Sequence, residues 1–289
     1  MRTGVVFPQT EIGPDPAVVR DYAQAVEGLG YTHLLVYDHV LGAGTANRPG
    51  WTGPYTDKTL FHEPFVLFGY LAAVTQRIEL VTGVLVLPQR QTALVAKQAA
   101  EVAVLTGNRF RLGVGVGWND VEFEALGTDF GNRGKRMDEQ IALLRELLSK
   151  PLVTFEGQWE RVTEAGINPL PTQPVPIWIG GSVEATLRRV ARTGDGWFPQ
   201  LSPNEAARES LTKLRQYTLE AGRNPDDIGI EPRITLRENE PDAWRTAHEA
   251  WRALGATHVT LNTMGGNLAS PQAHIQLLER AAAELGVGG

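Results

Sequence analysis

The sequence predicts an α/β fold of one kind: a (β/α)8 TIM barrel with insertions after strand 2 and before strand 5. Three observations predict it. Short apolar runs alternate with longer helical patterns, strand then helix, eight times, and strict alternation implies a parallel sheet with helical crossovers. The chain has 289 residues, which suits a closed eight-stranded barrel of roughly 250 residues with two insertions. A doubly wound open sheet usually carries a Gly-rich dinucleotide turn after its first strand, and here Pro8-Gln9-Thr10 stands in that place. No break in composition divides the chain, so residues 1–289 are read as one domain.

The elements follow in order. Thr3 to Phe7 is an apolar strand. Pro16 opens a helix that runs to Leu29, with Gly30 just past its end, where a C′ glycine belongs. Leu34 to Tyr37 is strand two and runs into Asp38-His39. A polar loop rich in Gly, Thr and Pro follows, out to about Leu60. Glu63 to Val74 reads as helix, Ile78 to Leu87 as strand, Thr92 to Leu105 as an Ala-rich helix and Arg109 to Val116 as strand. Gly117 to Gly131 is less regular. Lys135 to Leu148 is an amphipathic helix, and Val153 to Val162 a small hairpin with Gly157 at its turn. A Pro-rich stretch through Pro169, Pro171, Pro174 and Pro176 precedes the return of the rhythm. Ile177 to Ile179 is strand, Ser182 to Arg192 helix, Gly196 to Pro199 strand and Asn204 to Ala221 helix. Ile228 to Leu236 is strand, Pro241 to Leu254 helix, Thr257 to Leu261 strand and Pro271 to Leu285 helix.

Composition narrows the chemistry. The chain contains no cysteine, which removes disulfides, thiolate nucleophiles, Cys-ligated zinc and iron–sulfur clusters together. A formal net charge of −6 argues against general nucleic-acid binding. The N-terminal Met1-Arg2-Thr3-Gly4-Val5 reads as a strand. No signal peptide or membrane span is expected, and the cytoplasm is the default location. The six histidines are scattered. His62-Glu63 continues Pro64-Phe65-Val66, so the H-E-x-x-H zinc motif fails and no metal site is expected. There is no G-x-S-x-G elbow and no Walker loop.

In a barrel of this kind the site lies at the C-terminal ends of the strands. Strand two ends in Tyr37-Asp38-His39. A histidine beside a carboxylate there suits proton transfer, and the plainer reading is a loop cap and a packed ring. Strand four ends in Gly113-Val114-Gly115-Val116-Gly117-Trp118-Asn119. Its alternate glycines share one face, either to admit a flat ring or to give a bulky neighbour room. Strand five runs through Gly180-Gly181-Ser182 into a helix. Ser182 is placed to cap that helix, whose first N–H groups suit an anion such as phosphate; the plain alternative is an ordinary turn. The basic run Asn132-Arg133-Gly134-Lys135-Arg136 reads chiefly as a solvated helix start near Asp138 and Glu139.

Taken in order, several pieces resemble one family: Tyr37-Asp38-His39, Gly83-Val84-Leu85-Val86-Leu87-Pro88, Leu94-Val95-Ala96-Lys97-Gln98, Asn108 to Trp118, Arg133 to Glu139, Pro176 to Gly181 and Asp195-Gly196-Trp197. The ordered set is similar to that of the bacterial luciferase-like oxidoreductases over residues 1 to about 200. The resemblance implies a cofactor at the strand C-termini, coenzyme F420 or FMN, with the details closer to the coenzyme F420 branch. It implies that Asp38 and His39 sit against the deazaflavin. It implies a non-proline cis peptide near Gly83 and Val84 behind the ring, and a phosphate held by Gly180, Gly181 and Ser182. Gly115, Gly117, Trp118 and Asn119 join the expected cofactor site. In sugar-phosphate dehydrogenases of that branch an acidic residue follows the strand-four glycines. Here Trp118 stands there, and neither Glu122 nor Glu124 is favoured as its substitute.

The reading is a coenzyme F420-dependent oxidoreductase that passes a hydride between the deazaflavin and a small organic substrate, with His39 and Asp38 as the catalytic pair. The loop from Gly42 to Leu60 is its candidate lid. The alternatives are an FMN-dependent monooxygenase and a cofactor-binding barrel without catalysis. The resemblance also implies a possible homodimer.

Overall fold

The computed structural model describes residues 1–288 and builds an α/β fold around a curled parallel sheet. The strands are β1 (Arg2–Val6), β2 (His33–Val36), β3 (Glu79–Thr82), β4 (Leu85–Val86), β5 (Phe110–Gly115), β6 (Val153–Glu156), β7 (Arg161–Ala165), β8 (Ile177–Gly180), β9 (Gly196–Phe198), β10 (Gly229–Ile230), β11 (Arg233–Thr235) and β12 (His258–Asn262). The helices are α1 (Pro16–Gly28), α2 (Pro64–Val74), α3 (Thr92–Leu105), α4 (Asp120–Ala125), α5 (Arg133–Ser149), α6 (Glu184–Thr193), α7 (Glu205–Glu220), α8 (Pro241–Ala253) and α9 (Pro271–Leu285). Among the described residues no helix is long and apolar enough to cross a membrane.

The large sheet runs β10-β9-β8-β5-β3-β2-β1-β12-β11, with β4 also beside β5. The antiparallel pair β6 and β7 stands apart from it as a separate hairpin. Local chemistry sets the elements. Asp15 caps α1, its Oδ1 accepting the Ala17 N–H at 2.8 Å, and Pro16 follows at the position where its missing N–H costs nothing. The chain leaves α1 through Gly30 at φ +87°, a left-handed turn that side chains with a Cβ rarely take.

Four expectations need correction. The strand expected over Ile78 to Leu87 is broken into β3 and β4 at Gly83–Val84, a cis peptide, the isomer that the resemblance implied. The strand expected over Ile228 to Leu236 is broken into β10 and β11 at Glu231-Pro232. Proline has no N–H to give the ladder, although the Pro232 carbonyl still accepts from Thr260 N at 3.0 Å. The irregular stretch after Gly117 contains the short helix α4. Helix α6 begins at Glu184 rather than Ser182.

The concave face of the sheet carries two layers. The lower one is ionic. Arg111 on β5 pairs with Glu231 and, at 3.2 Å, with Glu79. His33 Nε2 lies 2.9 Å from Glu231 Oε1, and the Thr260 hydroxyl donates to the same carboxylate. The Arg111 guanidinium also lies 4.2 Å from the Trp178 ring centroid. Glycines clear the space: a Cβ on Gly4 would stand 2.2 Å from His33, and one on Gly196 or Gly229 2.2 Å from Trp178. Above this layer Val6, Leu35, Val81 and Phe198 form an apolar cluster.

Burial opposes ionisation of Glu231, but the charges of Arg111 and His33 and the hydrogen bonds of His33 and Thr260 outweigh it and hold the carboxyl well below its usual range. A depressed carboxylate contributes stability above its unfolded pKa and loses it as pH falls. Glu231→Gln leaves Arg111 buried without its main counter-charge, at an expected cost of about 3–5 kcal/mol at neutral pH. Urea unfolding measures it. The gap to the wild-type protein should narrow as pH drops below about 4. Equal stability at pH 7 would contradict the role given to this pair.

Candidate active site

The apolar layer opens at the C-terminal ends of the strands. There Val6, Leu35, Tyr37, Gly83, Val84, Gly180, Phe198 and Arg233 line one recess. Val84, carried by the cis peptide, occupies a gap between two other strands. A Cβ on Gly115 would meet Val84 Cγ2 at 2.5 Å, and one on Gly180 would meet Val84 Cγ1 at 2.7 Å. A Cβ on Gly113 would strike the Thr82 carbonyl at 1.9 Å, and one on Gly117 would meet Val86 at 2.4 Å. The strand-four glycines therefore give their neighbours room, the plainer of the two sequence readings. The consequence is still a shelf: Val84 and Leu35 reach the mouth because Gly83, Gly115 and Gly180 carry no side chain. At the polar edge of the recess Arg233 donates to the Tyr37 hydroxyl at 2.7 Å.

Asp38 turns away from this opening. Its Oδ2 accepts from Val86 N at 2.9 Å and its Oδ1 from Arg90 Nη2 at 2.7 Å. Burial pushes its carboxyl above the ordinary value against the opposing pull of Arg90 and the Val86 N–H. Asp38 thus pins β4, and with it the Val84 shelf, to the end of β2. It is chain neighbour to His39 and not its hydrogen-bonding partner.

His39 lines a second cavity of about 320 Å³ together with Leu41, Tyr55, Asp57, Phe61 and Asn119, a volume at the lower end of ligand sites. Its ring stands edge-on to Phe61, Tyr55 and Trp118, with centroids at 4.8, 4.9 and 5.5 Å. Tyr55 and Phe61 come from the long loop after β2, so the loop does fold onto the histidine. Glu122 on α4 supplies the carboxylate that Asp38 does not: His39 Nδ1 lies 3.2 Å from Glu122 Oε2. The same group accepts from Val40 N at 2.8 Å, Leu41 N at 3.2 Å and Gln89 Nε2 at 3.3 Å. Burial alone would raise its pKa, but the hydrogen bond and charge of His39 and the bonds from Leu41 and Gln89 hold it below the ordinary value. Asn119 is buried, and its Oδ1 has no hydrogen-bond partner among the described residues.

The structure therefore gathers His39 and Asn119 around one cavity, with Trp118 against the His39 ring, and Gly83, Val84 and Gly180 at the other recess. Gly181 and Ser182 belong to a turn against β9. Gly181 takes φ +125°, the Trp197 indole donates to its carbonyl at 2.6 Å, and the Ser182 hydroxyl accepts from Gln200 N at 3.0 Å. Helix α6 starts at Glu184 with Val183 at its N-cap and no side-chain cap bond, so Ser182 is not the helix cap. The basic run is largely tied down: Arg136 lies 3.6 Å from Glu160, and Arg133 stacks on Phe130. Asp138 pairs with Arg189 instead. Glu122, Tyr55, Phe61 and Arg233 carry no local motif, and only the fold brings them to the site.

Known proteins resemble this chain over most of its length. Residues 1–285 match the family model described as luciferase-like monooxygenase. An uncharacterized protein of Mycobacterium tuberculosis is 36% identical over 214 residues, 72% of this chain and 74% of its own. The F420-dependent hydroxymycolic acid dehydrogenase of the same organism is 28% identical over 256 residues, 86% of this chain and 66% of that protein. The solved structure of an F420-dependent secondary alcohol dehydrogenase with an F420-acetone adduct superposes with TM-score 0.80 at 16% identity, covering 98% of both chains. This last likeness is one of fold.

The shelf yields a test. Gly115→Ala puts a methyl into Val84 and is expected to cost about 1–3 kcal/mol. Adding Val84→Ala should recover most of that loss, measured by thermal or urea unfolding. A double variant no more stable than Gly115→Ala would show that the glycine serves something other than room for Val84.

Proposed function

This chain belongs to the luciferase-like monooxygenase family, and on that premise we propose that it is a coenzyme F420-dependent oxidoreductase acting on a small organic molecule. The reading takes the curled sheet as a closed (β/α)8 barrel in a single domain. Strands β10 and β11 are then two halves of one strand, because only Glu231 and Pro232 separate them while they border opposite ends of the sheet order. The insertions are the loop after β2 and the β6–β7 hairpin before β8.

One observation carries the proposal. A recess floored by Val84, Leu35 and Phe198, cut open by Gly83 and Gly180, lies at the strand ends where Tyr37 leads directly to His39. Such a floor suits one face of a flat, uncharged ring system. Arg233 and the Tyr37 hydroxyl offer donors at its edge. The turn at Gly180, Gly181 and Ser182 is the proposed phosphate end of the site, with backbone N–H groups at the start of α6 as donors. When bound, the deazaflavin supplies a hydride donor or acceptor. His39 holds or moves the accompanying proton at Nε2, since Nδ1 is taken by Glu122. Tyr55, Phe61 and Trp118 exclude water from around the imidazole. Asp38 keeps Val84 in place through β4 and moves no proton.

The relatedness to an F420-dependent dehydrogenase over most of this chain supports the choice of cofactor. The family description as monooxygenase supports the rival, an FMN-dependent reaction with oxygen. Titration with coenzyme F420 and with FMN, followed by fluorescence, separates them: tight binding of the first and weak binding of the second is expected. The opposite preference would overturn the proposal and move the search to oxygen chemistry. His39→Ala should retain coenzyme F420 binding and lower turnover by about 10²- to 10⁴-fold, the usual worth of a positioned proton-transfer group. Unchanged turnover would take His39 out of the mechanism.

A further inference from the structure

Glu122 has no motif around it and lies 83 positions from His39 in the chain, yet it is the only carboxylate bonded to that imidazole among the described residues. We propose that Glu122 is a positioning residue that locks His39 as the Nδ1–H tautomer and so leaves Nε2 as the one nitrogen able to exchange a proton with the cavity. The catalytic meaning of this lock rests on the function proposed above, but the lock itself does not.

The geometry leaves the carboxylate little choice. Its side chain is 1% exposed, so water does not satisfy it. Oxygen Oε1 takes the backbone N–H groups of Val40 and Leu41, at 2.8 and 3.2 Å. Oxygen Oε2 takes Gln89 Nε2 at 3.3 Å and faces His39 Nδ1 at 3.2 Å. Two of these donors are main-chain amides that cannot switch roles, and an amide nitrogen of glutamine only donates. A carboxylate that receives three fixed donors is held ionised, and an ionised carboxylate only accepts. The proton on the imidazole must then lie on Nδ1. Among the described residues no group bonds to Nε2, and the ring lines the cavity.

The same contacts fix the ring in space. Val40 and Leu41 are the residues after His39, so one buried carboxylate grips both the imidazole and the backbone that carries it. Tyr55, Phe61 and Trp118 pack edge-on against the ring. A carboxylate behind a working histidine commonly sets its tautomer in this manner. Asp38 cannot take the role, because both of its oxygens are used by Val86 and Arg90.

The test reads the tautomer directly. Nitrogen NMR of the ¹⁵N-histidine-labelled full chain, with His39→Gln used to assign the signal, reports which nitrogen carries the proton in neutral imidazole. The expected result is protonated Nδ1 and unprotonated Nε2 in the cofactor-free protein. Protonated Nε2 in the wild-type chain would overturn the proposal without need of any variant. In Glu122→Gln, whose amide can donate as well as accept, His39 should shift to Nε2–H or to a mixture. Glu122→Asp should restore part of the Nδ1–H signal. A Glu122→Gln protein that keeps its thermal unfolding profile and an unchanged tautomer would also overturn it. Where turnover with coenzyme F420 is found, Glu122→Gln should lower kcat about 10- to 100-fold. Finding the Nδ1–H tautomer together with no coenzyme F420 binding would sink the proposed function and leave this inference standing.

Discussion

The buried pair Arg111–Glu231 is the constraint around which the rest is arranged. A charge inside a curled sheet is tolerable only when paired and hydrogen-bonded. Here the satisfaction comes from several strands at once: Arg111 from β5, Glu231 from the break between β10 and β11, His33 from β2 and Thr260 from β12. The pair therefore ties together parts of the sheet that are not neighbours in its hydrogen-bonded order. It also explains the company it keeps. Trp178 covers the guanidinium, and glycines at positions 4, 196 and 229 make room for His33 and Trp178.

An ionic lower layer pushes the apolar material toward the strand ends. Val6, Leu35, Val81 and Phe198 lie above it, and Val84 rises between Gly115 and Gly180 to complete the surface. The mouth is thus apolar because the polar groups of the interior are already paired below. Asp38 belongs to this construction, bracing β4 through the Val86 N–H and Arg90. A residue that sequence proximity sets beside His39 is bonded to β4 and Arg90 instead.

The histidine beside it has the opposite history. His39 gains its carboxylate from α4, a helix of six residues inside a stretch that shows no clear periodicity. Two of its aromatic neighbours, Tyr55 and Phe61, come from a loop without regular structure between β2 and α2, and the third, Trp118, follows β5. Both are long-range consequences of the strand order: β2 lies beside β3, β3 beside β5, and α4 follows β5 directly. With that order, the segments after β2 and β5 rise side by side.

The sequence by itself determined the alternation of strands and helices and the family, and it supplied the expectation of a site at the strand ends around His39. Each of these depends on local pattern: periodicity, helix caps, and short runs such as Tyr37-Asp38-His39 that read the same wherever the rest of the chain lies. Tertiary structure alone decided that Asp38 faces Arg90, that Glu122 faces His39, that Ser182 bonds to Gln200 instead of capping a helix, and that the glycines of β5 house Val84. It also decided the break in the sheet at Glu231-Pro232, whereas the cis peptide at Gly83–Val84 was already implied by the resemblance. The reason is one of range. A side chain's partner is chosen by the direction in which the backbone aims it and by which groups must be satisfied out of water. Those choices are made between residues tens of positions apart, where neither periodicity nor propensity carries information.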